Sequence, residues 1–283
     1  MTRKNFFKLL SLIILSAVMI NSAYANLMIA PQRIVLEERE RSASVNLINT
    51  SNKRTTYRLH WVQKKQQLNG QYIDLPSNSN EVPNASSRLR FSPRQVTLAP
   101  GEKQTVRIAV RRHKNLEHGE YRSHLLFQAL PNEDDDATSS KGAKIKINLL
   151  LGFAIPVIVR QGKLNGIAKV SNIEITKTIQ QGKTFYGGLI TLNRSGPHTT
   201  YGSLKVFWKP GLGSRYEQVA ILNNVALYPE RNLTQYQVGL KDFKPNNGYL
   251  KVIYEGRKEY EGKTFDSFET QLNSSRITST KLD

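Results

Sequence analysis

The fold of this chain is decided by residues 91–108, which read FSPRQVTLAPGEKQTVRI. Polar and apolar residues alternate in Gln95–Leu98 and again in Gln104–Val110, and a turn sequence, Ala99-Pro100-Gly101, separates the two segments. A period of two places every second side chain on one face of a β-strand, whereas a helix repeats after about 3.6 residues. The stretch therefore predicts two strands joined by a tight turn.

The same alternation recurs along the rest of the chain in short segments separated by clusters of Gly, Pro, Asn and Ser. A long apolar segment, Ile145–Val159, is interrupted by Gly152 and Pro156. Many short strands without helical periodicity are typical of all-β sandwiches. The further predicted strands are 44–48, 57–62, 123–130, 145–159, 168–177, 184–193, 202–208, 218–222, 235–240 and 248–254.

The strand pattern restarts near 161–166, where the sequence QGKLNG is typical of a linker. We therefore expect an N-terminal domain at 26–162, a C-terminal domain at 163–275 and a frayed polar tail at 276–283. The acidic, Ser- and Gly-containing stretch 131–142 is expected to be a loop.

The first 25 residues have the composition of a secretory signal. Basic residues from Arg3 to Lys8 precede the apolar run Leu9–Ile20, and the small residues of Ala23-Tyr24-Ala25 follow. The run is too short to cross a hydrocarbon layer of about 30 Å. We expect cleavage after Ala25 and export, with no membrane insertion of the mature chain.

Composition excludes several classes of protein. None of the 283 residues is Cys, which excludes disulfides, thiolate metal sites and cysteine nucleophiles. From residue 26 onward the chain has 38 basic against 22 acidic residues, a net charge of +16. Such a charge favours an acidic binding partner. Because the protein is expected to be exported, we do not expect this partner to be nucleic acid.

No motif for catalysis, metal or cofactor binding is present. Gly-Lys-Thr occurs at 182–184 and 262–264, but a phosphate-binding loop needs a glycine five residues before the second one. Lys177 and Arg257 occupy those positions. We therefore expect neither an enzyme nor a metal or cofactor site.

Four stretches in the first half resemble one family. They are Ala30–Leu36, which reads APQRIVL, the turn Asn49-Thr50-Ser51-Asn52, the pattern Pro…Leu-x-Pro-Gly…Val-Arg within 91–108, and Gly119–Ser123 followed by the strand that ends in Ile155-Pro156-Val157. Their order and spacing are similar to those of periplasmic pilus chaperones of the PapD-like, chaperone–usher type. A weaker match at 225–229 suggests the archaic, spore-coat-like or sigma-fimbrial branch.

The resemblance implies two immunoglobulin-like β-sandwich domains set at an angle. It also implies a periplasmic function in pilus or fimbrial assembly without a cofactor. Family members bind subunits whose own sandwich lacks its last strand, and they deliver these subunits to an outer-membrane usher. The chaperone lends an edge strand, so its backbone pairs with the subunit while alternate side chains fill the subunit's apolar groove.

The residues of 144–153 meet the requirement for such a lending strand. Lys144, Lys146 and Asn148 begin one face of the strand. An ordinary core strand has the same alternation, so the resemblance is what favours subunit binding. The residues expected to enter the groove are Ile145, Ile147, Leu149, Leu151 and Phe153.

The resemblance also implies a cleft that receives the subunit's C-terminal carboxylate. Arg33 occupies the position of the family's first-strand arginine, whose planar guanidinium can bind a carboxylate through two parallel hydrogen bonds. The family's second cation, a Lys on the lending strand, is not matched, because counting back from Pro156 places Leu151 there. Lys146 and Arg122 are the remaining candidates for that role.

Two other functions stay open on the sequence alone. An exported β-sandwich adhesin or carbohydrate-binding module would need exposed aromatic platforms. A cationic protein that binds anionic envelope polymers would not depend on an apolar strand at 145–153.

Overall fold

The computed structural model describes residues 26–112, 116–131, 151–245, 247–273 and 277–281. The expected signal at 1–25 and most of the predicted loop at 131–142 lie outside these ranges. None of the helices in the described ranges is long and apolar enough to cross a membrane.

In its described residues, the N-terminal sandwich contains ten strands, β1 to β10, in two sheets. The first sheet has the order β1 (Leu27–Ala30), β3 (Ser42–Asn49), β8 (Lys103–Val110) and β6 (Leu89–Ser92). The second has the order β2 (Ile34–Leu36), β10 (Gly152–Gln161), β9 (Gly119–Ala129), β4 (Thr55–Gln66) and β5 (Tyr72–Leu75), with β7 (Gln95–Leu98) also paired to β4. The β2–β10 pairing is parallel.

The described part of the C-terminal sandwich contains eight strands, also in two sheets. One sheet has the order β15 (Leu233–Leu240), β12 (Lys183–Ser195), β11 (Ile167–Gln180) and β18 (Ile277–Lys281). The other has the order β14 (Glu217–Leu227), β13 (Thr200–Lys209), β16 (Gly248–Gly256) and β17 (Thr264–Leu272). Each sandwich has its own core of alternate apolar side chains. The first core includes Val45, Ile108 and Phe127, and the second includes Ile190, Val206 and Val252.

The predicted all-β class is confirmed. The prediction at Gln95–Leu98 agrees with β7 at both ends, and β9 begins at Gly119 rather than at residue 123. The expectation of a frayed tail does not hold for Ile277–Lys281, because this segment pairs in parallel with β11 between Ile175 and Ile179.

Strand β10 contacts both sandwiches through its two faces. Its odd-numbered residues, including Val157 and Val159, belong to the N-terminal core. Its even-numbered residue Ile158 belongs to a separate buried cluster with Tyr201 and Tyr228 of the C-terminal sandwich. Because side chains alternate along a strand, a single strand can join the two sandwiches.

Candidate functional site: the free edge of β10 and the cleft between the sandwiches

The first half of β10 is an open strand edge. Its side toward β9 is paired along the whole strand, from Gly152 to Gln161. On the other side, β2 pairs only with Val157–Val159. Among the described residues, no strand pairs with 152–156 on that side. Unpaired backbone groups on such an edge can accept another strand.

The apolar face of β10 becomes progressively more exposed toward its start. Val157 is fully buried and Ile155 is 4% exposed, whereas Phe153 is only partly buried against the same core and Leu151 is 43% exposed. The backbone N–H of Ala129 still donates to the carbonyl of Leu151 at 3.1 Å, so pairing with β9 extends to this residue. The apolar face of β10 therefore extends past the core of the N-terminal sandwich, and its first residues are partly exposed.

The predicted groove-filling residues are only partly within the described structure. Leu151 and Phe153 lie at the margin of the core, as stated above. The other predicted groove-filling residues, and one predicted anchor, lie outside the described residues: Ile145, Ile147, Leu149 and Lys146.

A cleft of about 500 Å³ lies between the two sandwiches, next to the free half of β10. The N-terminal sandwich contributes Arg33, Val35 and Pro156 to its lining, while Leu151 does not line it. The C-terminal sandwich contributes residues of both signs of charge as well as aromatic rings. These residues include Tyr201, Tyr228, Lys258 and Glu259.

Arg33 lies in this cleft and binds a carboxylate of the C-terminal sandwich. Its Nη1 donates to Glu259 Oε2 at 3.0 Å and its Nη2 donates to Glu259 Oε1 at 2.8 Å, which is a two-pronged pair. The guanidinium carbon lies 4.5 Å from the ring centre of Tyr201, within the range of a cation–π contact. The geometry shows that Arg33 can hold a carboxylate in this position.

The two charges stabilise each other's ionised forms. Burial alone would lower the pKa of Arg33, but the hydrogen bonds and charge of Glu259 outweigh burial and raise it. Burial alone would raise the pKa of the Glu259 carboxyl, but Arg33 outweighs that effect and holds this pKa below its ordinary value. Both groups are therefore charged at neutral pH.

Glu259 also belongs to a buried network that crosses the junction. Arg160 of β10, fully buried, donates to Glu259 at 3.1 Å, to Glu120 at 3.3 Å and to Glu37 at 2.5 Å. Glu120 in turn accepts the backbone N–H of Thr199 from the C-terminal sandwich at 3.0 Å. A buried guanidinium with several carboxylates is compensated, whereas an unpaired one would be costly.

The predicted anchor candidate Arg122 lies elsewhere, in a sealed position. It donates to Glu230 of the C-terminal sandwich at 2.5 and 3.3 Å and to the carbonyl of Lys64 at 3.0 Å. Its guanidinium carbon lies 3.6 Å from the ring centre of Tyr228. Burial alone would lower the pKa of Arg122, but Glu230 outweighs burial and raises it. Arg122 does not line the cleft among the described residues.

The family model for the pili and flagellar-assembly chaperone, PapD N-terminal domain, matches residues 26–164. This N-terminal part of the chain belongs to the PapD-like family of pilus assembly chaperones. Within the family, the assignment to the archaic branch stays a prediction. A search of curated proteins found no match.

Several solved structures are similar in fold. The Pseudomonas aeruginosa CupB2 chaperone shares 13% identity with a TM-score of 0.45, and the match covers 87% of this chain and all of that one. Another match is a structure of the CsuC–CsuE chaperone–tip adhesion subunit pre-assembly complex from archaic Csu pili of Acinetobacter baumannii. It shares 16% identity with a TM-score of 0.42, and the match covers 90% of this chain and all of that one. A structure of the Salmonella enterica SafA pilin with the SafB chaperone shares 12% identity with a TM-score of 0.44. This match covers 88% of this chain and 97% of that one.

The carboxylates of the junction were not identified from the sequence. Arg33 and Glu259 are 226 positions apart, and Arg122 and Glu230 are 108 apart, so no local pattern connects them. Among the described residues, no group of three His, Cys, Asp or Glu side chains could hold a metal ion.

Proposed function

We propose that this protein is a periplasmic chaperone that captures pilus subunits by strand donation and delivers them to an outer-membrane usher. The observation that carries the proposal is the exposure gradient along β10, from buried Val157 to half-exposed Leu151 on an unpaired edge. In the sequence, the apolar alternation of 145–151 has the same parity as Phe153 and Ile155 and would extend their face if the strand continues. Alternate apolar side chains on a free strand edge suit the groove of an incomplete subunit.

The energy available from this face is sufficient for tight binding. Burying four aliphatic side chains would contribute about 6–12 kcal/mol, at roughly 1.5–3 kcal/mol each. The loss of translational and rotational freedom on association offsets several kcal/mol of this gain. Backbone pairing along 152–156 would add directional hydrogen bonds that fix the register of the bound strand.

The position of Arg33 indicates how a bound strand would run. Arg33 directly precedes β2, and Ile34 is paired with Val157, so Arg33 lies at the point where the free edge of β10 begins. A subunit strand placed on that edge in line with β2, with its C-terminus at Arg33, would be parallel to β10, as β2 is. We infer that Arg33 anchors the subunit's terminal carboxylate and sets the end of the pairing.

Export, cofactor-free binding and release by strand exchange complete the proposed function. The signal-like residues 1–25 support export to the periplasm. Capture by strand pairing needs no bound nucleotide, cofactor or metal. Release would come from exchange with the strand of the next subunit, because a second strand can compete for the same groove.

The lending strand is tested by introducing charge on its apolar face. We expect Ile147→Asp combined with Leu149→Asp to leave the protein folded and to abolish co-purification with a pilus subunit that the wild type captures. The reason is that two carboxylates would have to enter an apolar groove without partners. The measurement is co-expression followed by affinity purification, with circular dichroism and urea unfolding as checks of the fold.

A matched control places two carboxylates on the opposite face. Lys144→Asp combined with Asn148→Asp adds the same number of acidic residues but leaves the groove-filling side chains unchanged. This control variant should still co-purify with the subunit. Normal co-purification of the folded Ile147→Asp, Leu149→Asp protein would contradict the assignment of the lending strand.

A further inference from the structure

The turn that carries Glu259 presents two oppositely charged side chains to the cleft. It is the short 3₁₀ segment Lys258–Tyr260 between β16 and β17. Tyr260 is buried in the cluster between the sandwiches, and the N–H of Gly256 donates to the carbonyl of Lys263 at 2.7 Å across the base of the turn. The turn is therefore held firmly where it meets the cleft.

Lys258 has an unusual backbone conformation for a residue with a long side chain. Its φ is +60°, in the left-handed region that residues other than Gly, Asn and Asp rarely adopt. Such conformations persist where the surrounding structure holds them, and they concentrate at functional sites. Lys258 is exposed and lines the cleft, and its ammonium has no hydrogen-bond or ion-pair partner among the described residues.

The charges that line the cleft do not cancel. Arg33, Lys258 and Glu259 are its charged lining residues in the described chain, which gives one positive charge in excess. One added carboxylate would balance this charge. Arg33 also has a free donor, because its buried Nε has no partner among the described residues.

Glu259 can leave Arg33 without becoming an unpaired buried charge. Its Oε1 already accepts a hydrogen bond from Arg160 at 3.1 Å, so a small rotation toward Arg160 would keep the carboxylate compensated. Arg33 would keep its position, because the ring of Tyr201 supports its guanidinium at 4.5 Å. The pair can therefore open while Arg33 keeps its position and Glu259 stays paired with Arg160.

We propose that Glu259 is an internal ligand that occupies Arg33 in the free protein, and that an incoming carboxylate displaces it and is then held by Arg33 and Lys258 together. This inference rests on the proposed function, because the natural carboxylate would be the C-terminus of the captured subunit. It places the second cation of the anchor on the C-terminal sandwich instead of on the lending strand. Capture would then depend on both sandwiches, since each contributes one cation.

The site can be tested with a small ligand that has no strand to pair. The probe is N-acetylphenylalanine, compared with N-acetylphenylalanine amide, and binding is measured by NMR titration of the full mature chain. In the wild type we expect the acid to bind more tightly than the amide. Glu259→Gln should increase the affinity for the acid by about tenfold or more, because a competing internal ligand lowers apparent affinity in proportion to the fraction of open sites. Affinity for the amide should not change.

Lys258→Gln tests the second cation and replaces only an exposed side chain, so it is informative even if Glu259→Gln proves unstable. It should weaken binding of the acid by about threefold or more, in the wild type and in the Glu259→Gln protein alike. Lys183→Gln, which removes an exposed charge outside the cleft, is the matched control and should have no effect.

Two results would overturn the inference. The first is an equal effect of Glu259→Gln on the acid and the amide, or no effect on either. The second is unchanged binding of the acid after Lys258→Gln. Neither result bears on strand donation, because the probe makes no strand pairing. Conversely, continued subunit capture by the Ile147→Asp, Leu149→Asp protein would contradict the proposed function while leaving the probe experiment unaffected.

Discussion

Two of the ion pairs that join the sandwiches, Arg122–Glu230 and Arg33–Glu259, have nearly the same chemistry in different surroundings. In each, an arginine of the N-terminal sandwich binds a glutamate of the C-terminal sandwich and lies against a tyrosine ring. The side chains of Arg122 and Glu230 are each 3% exposed, whereas those of Arg33 and Glu259 are 11% and 14% exposed and line the cleft. The sealed pair has no room for another ligand, and the accessible pair can exchange one carboxylate for another.

The sealed pair is covered by the hairpin formed by β4 and β5. Gln66 donates through Nε2 to the carbonyl of Ala226 at 2.8 Å and through its backbone N–H to Glu230 at 3.2 Å. The turn of the hairpin also contributes, since the carbonyl of Leu68 accepts the N–H of Gln235 at 2.6 Å. Backbone and side-chain contacts therefore exclude water around one pair and leave the other at an opening.

The largest expected effect comes from breaking the sealed pair. Arg122→Ala should lower the free energy of unfolding by about 3–5 kcal/mol, because it leaves the buried carboxylate of Glu230 without its partner. Arg33→Ala should cost clearly less, since Glu259 retains Arg160. Urea unfolding of both variants measures the difference.

A second substitution separates the ion pair from general loss of packing. Glu230→Gln added to Arg122→Ala should restore part of the lost stability, because no unpaired charge then remains in the interior. Equal destabilisation by Arg122→Ala and Arg33→Ala would contradict the distinction between a sealed and an accessible pair.

The strands were largely predictable from the sequence because their signals are local. β7 was predicted at both ends, since the Ala99-Pro100-Gly101 turn limits it and its alternation is regular. β17 was not predicted, because its exposed face is polar and no turn signal of comparable strength bounds it. β18 was expected to be frayed, but it pairs in parallel with β11, which begins more than a hundred residues earlier. Pairing at that distance leaves no local pattern.

The site was predictable only on the N-terminal side. Arg33 and the apolar strand were identified from their places in a family pattern within the first 160 residues. Glu259 and Lys258 lie in a charged stretch of the C-terminal half, and the nearest motif to them is the incomplete phosphate-loop sequence at 262–264. The cleft depends on how the two sandwiches pack against each other. No local sequence pattern indicates this packing, because the residues that meet in the cleft are far apart in the chain.

The next largest effect concerns subunit binding at the accessible pair. If Arg33 holds the subunit's carboxylate, Arg33→Ala should weaken capture by about 2–5 kcal/mol, because the carboxylate would be left unpaired in a partly buried cleft. Arg33→Lys should remain impaired, since an ammonium cannot form two parallel hydrogen bonds. The exposed Arg94 provides the control, and Arg94→Ala should change the affinity by less than about 1 kcal/mol. Affinity is measured by titrating a subunit with each folded variant.

Amidation of the subunit's C-terminus isolates the pair from general charge loss. It should weaken binding to the wild type and have little further effect on binding to Arg33→Ala, because the two changes remove the same interaction. If amidation weakens binding to both proteins equally, the carboxylate is anchored elsewhere, and Lys258 and then Lys146 become the next candidates.

The smallest expected effect is the pH dependence of the accessible pair. Although burial opposes ionisation, Arg33 holds the pKa of the Glu259 carboxyl below its ordinary value. The pair therefore stabilises the fold fully above the unfolded-state pKa of about 4.3, and this contribution is lost as the pH falls through the lower folded-state pKa. The stability difference between the wild type and Glu259→Gln, about 1 kcal/mol at neutral pH for a partly exposed pair, should shrink between about pH 5 and pH 3. Urea unfolding across this range measures it. If this difference in the free energy of unfolding stays constant or grows as the pH falls, Arg33 does not hold Glu259 in its ionised form. Glu259 would then not be the internal ligand of Arg33.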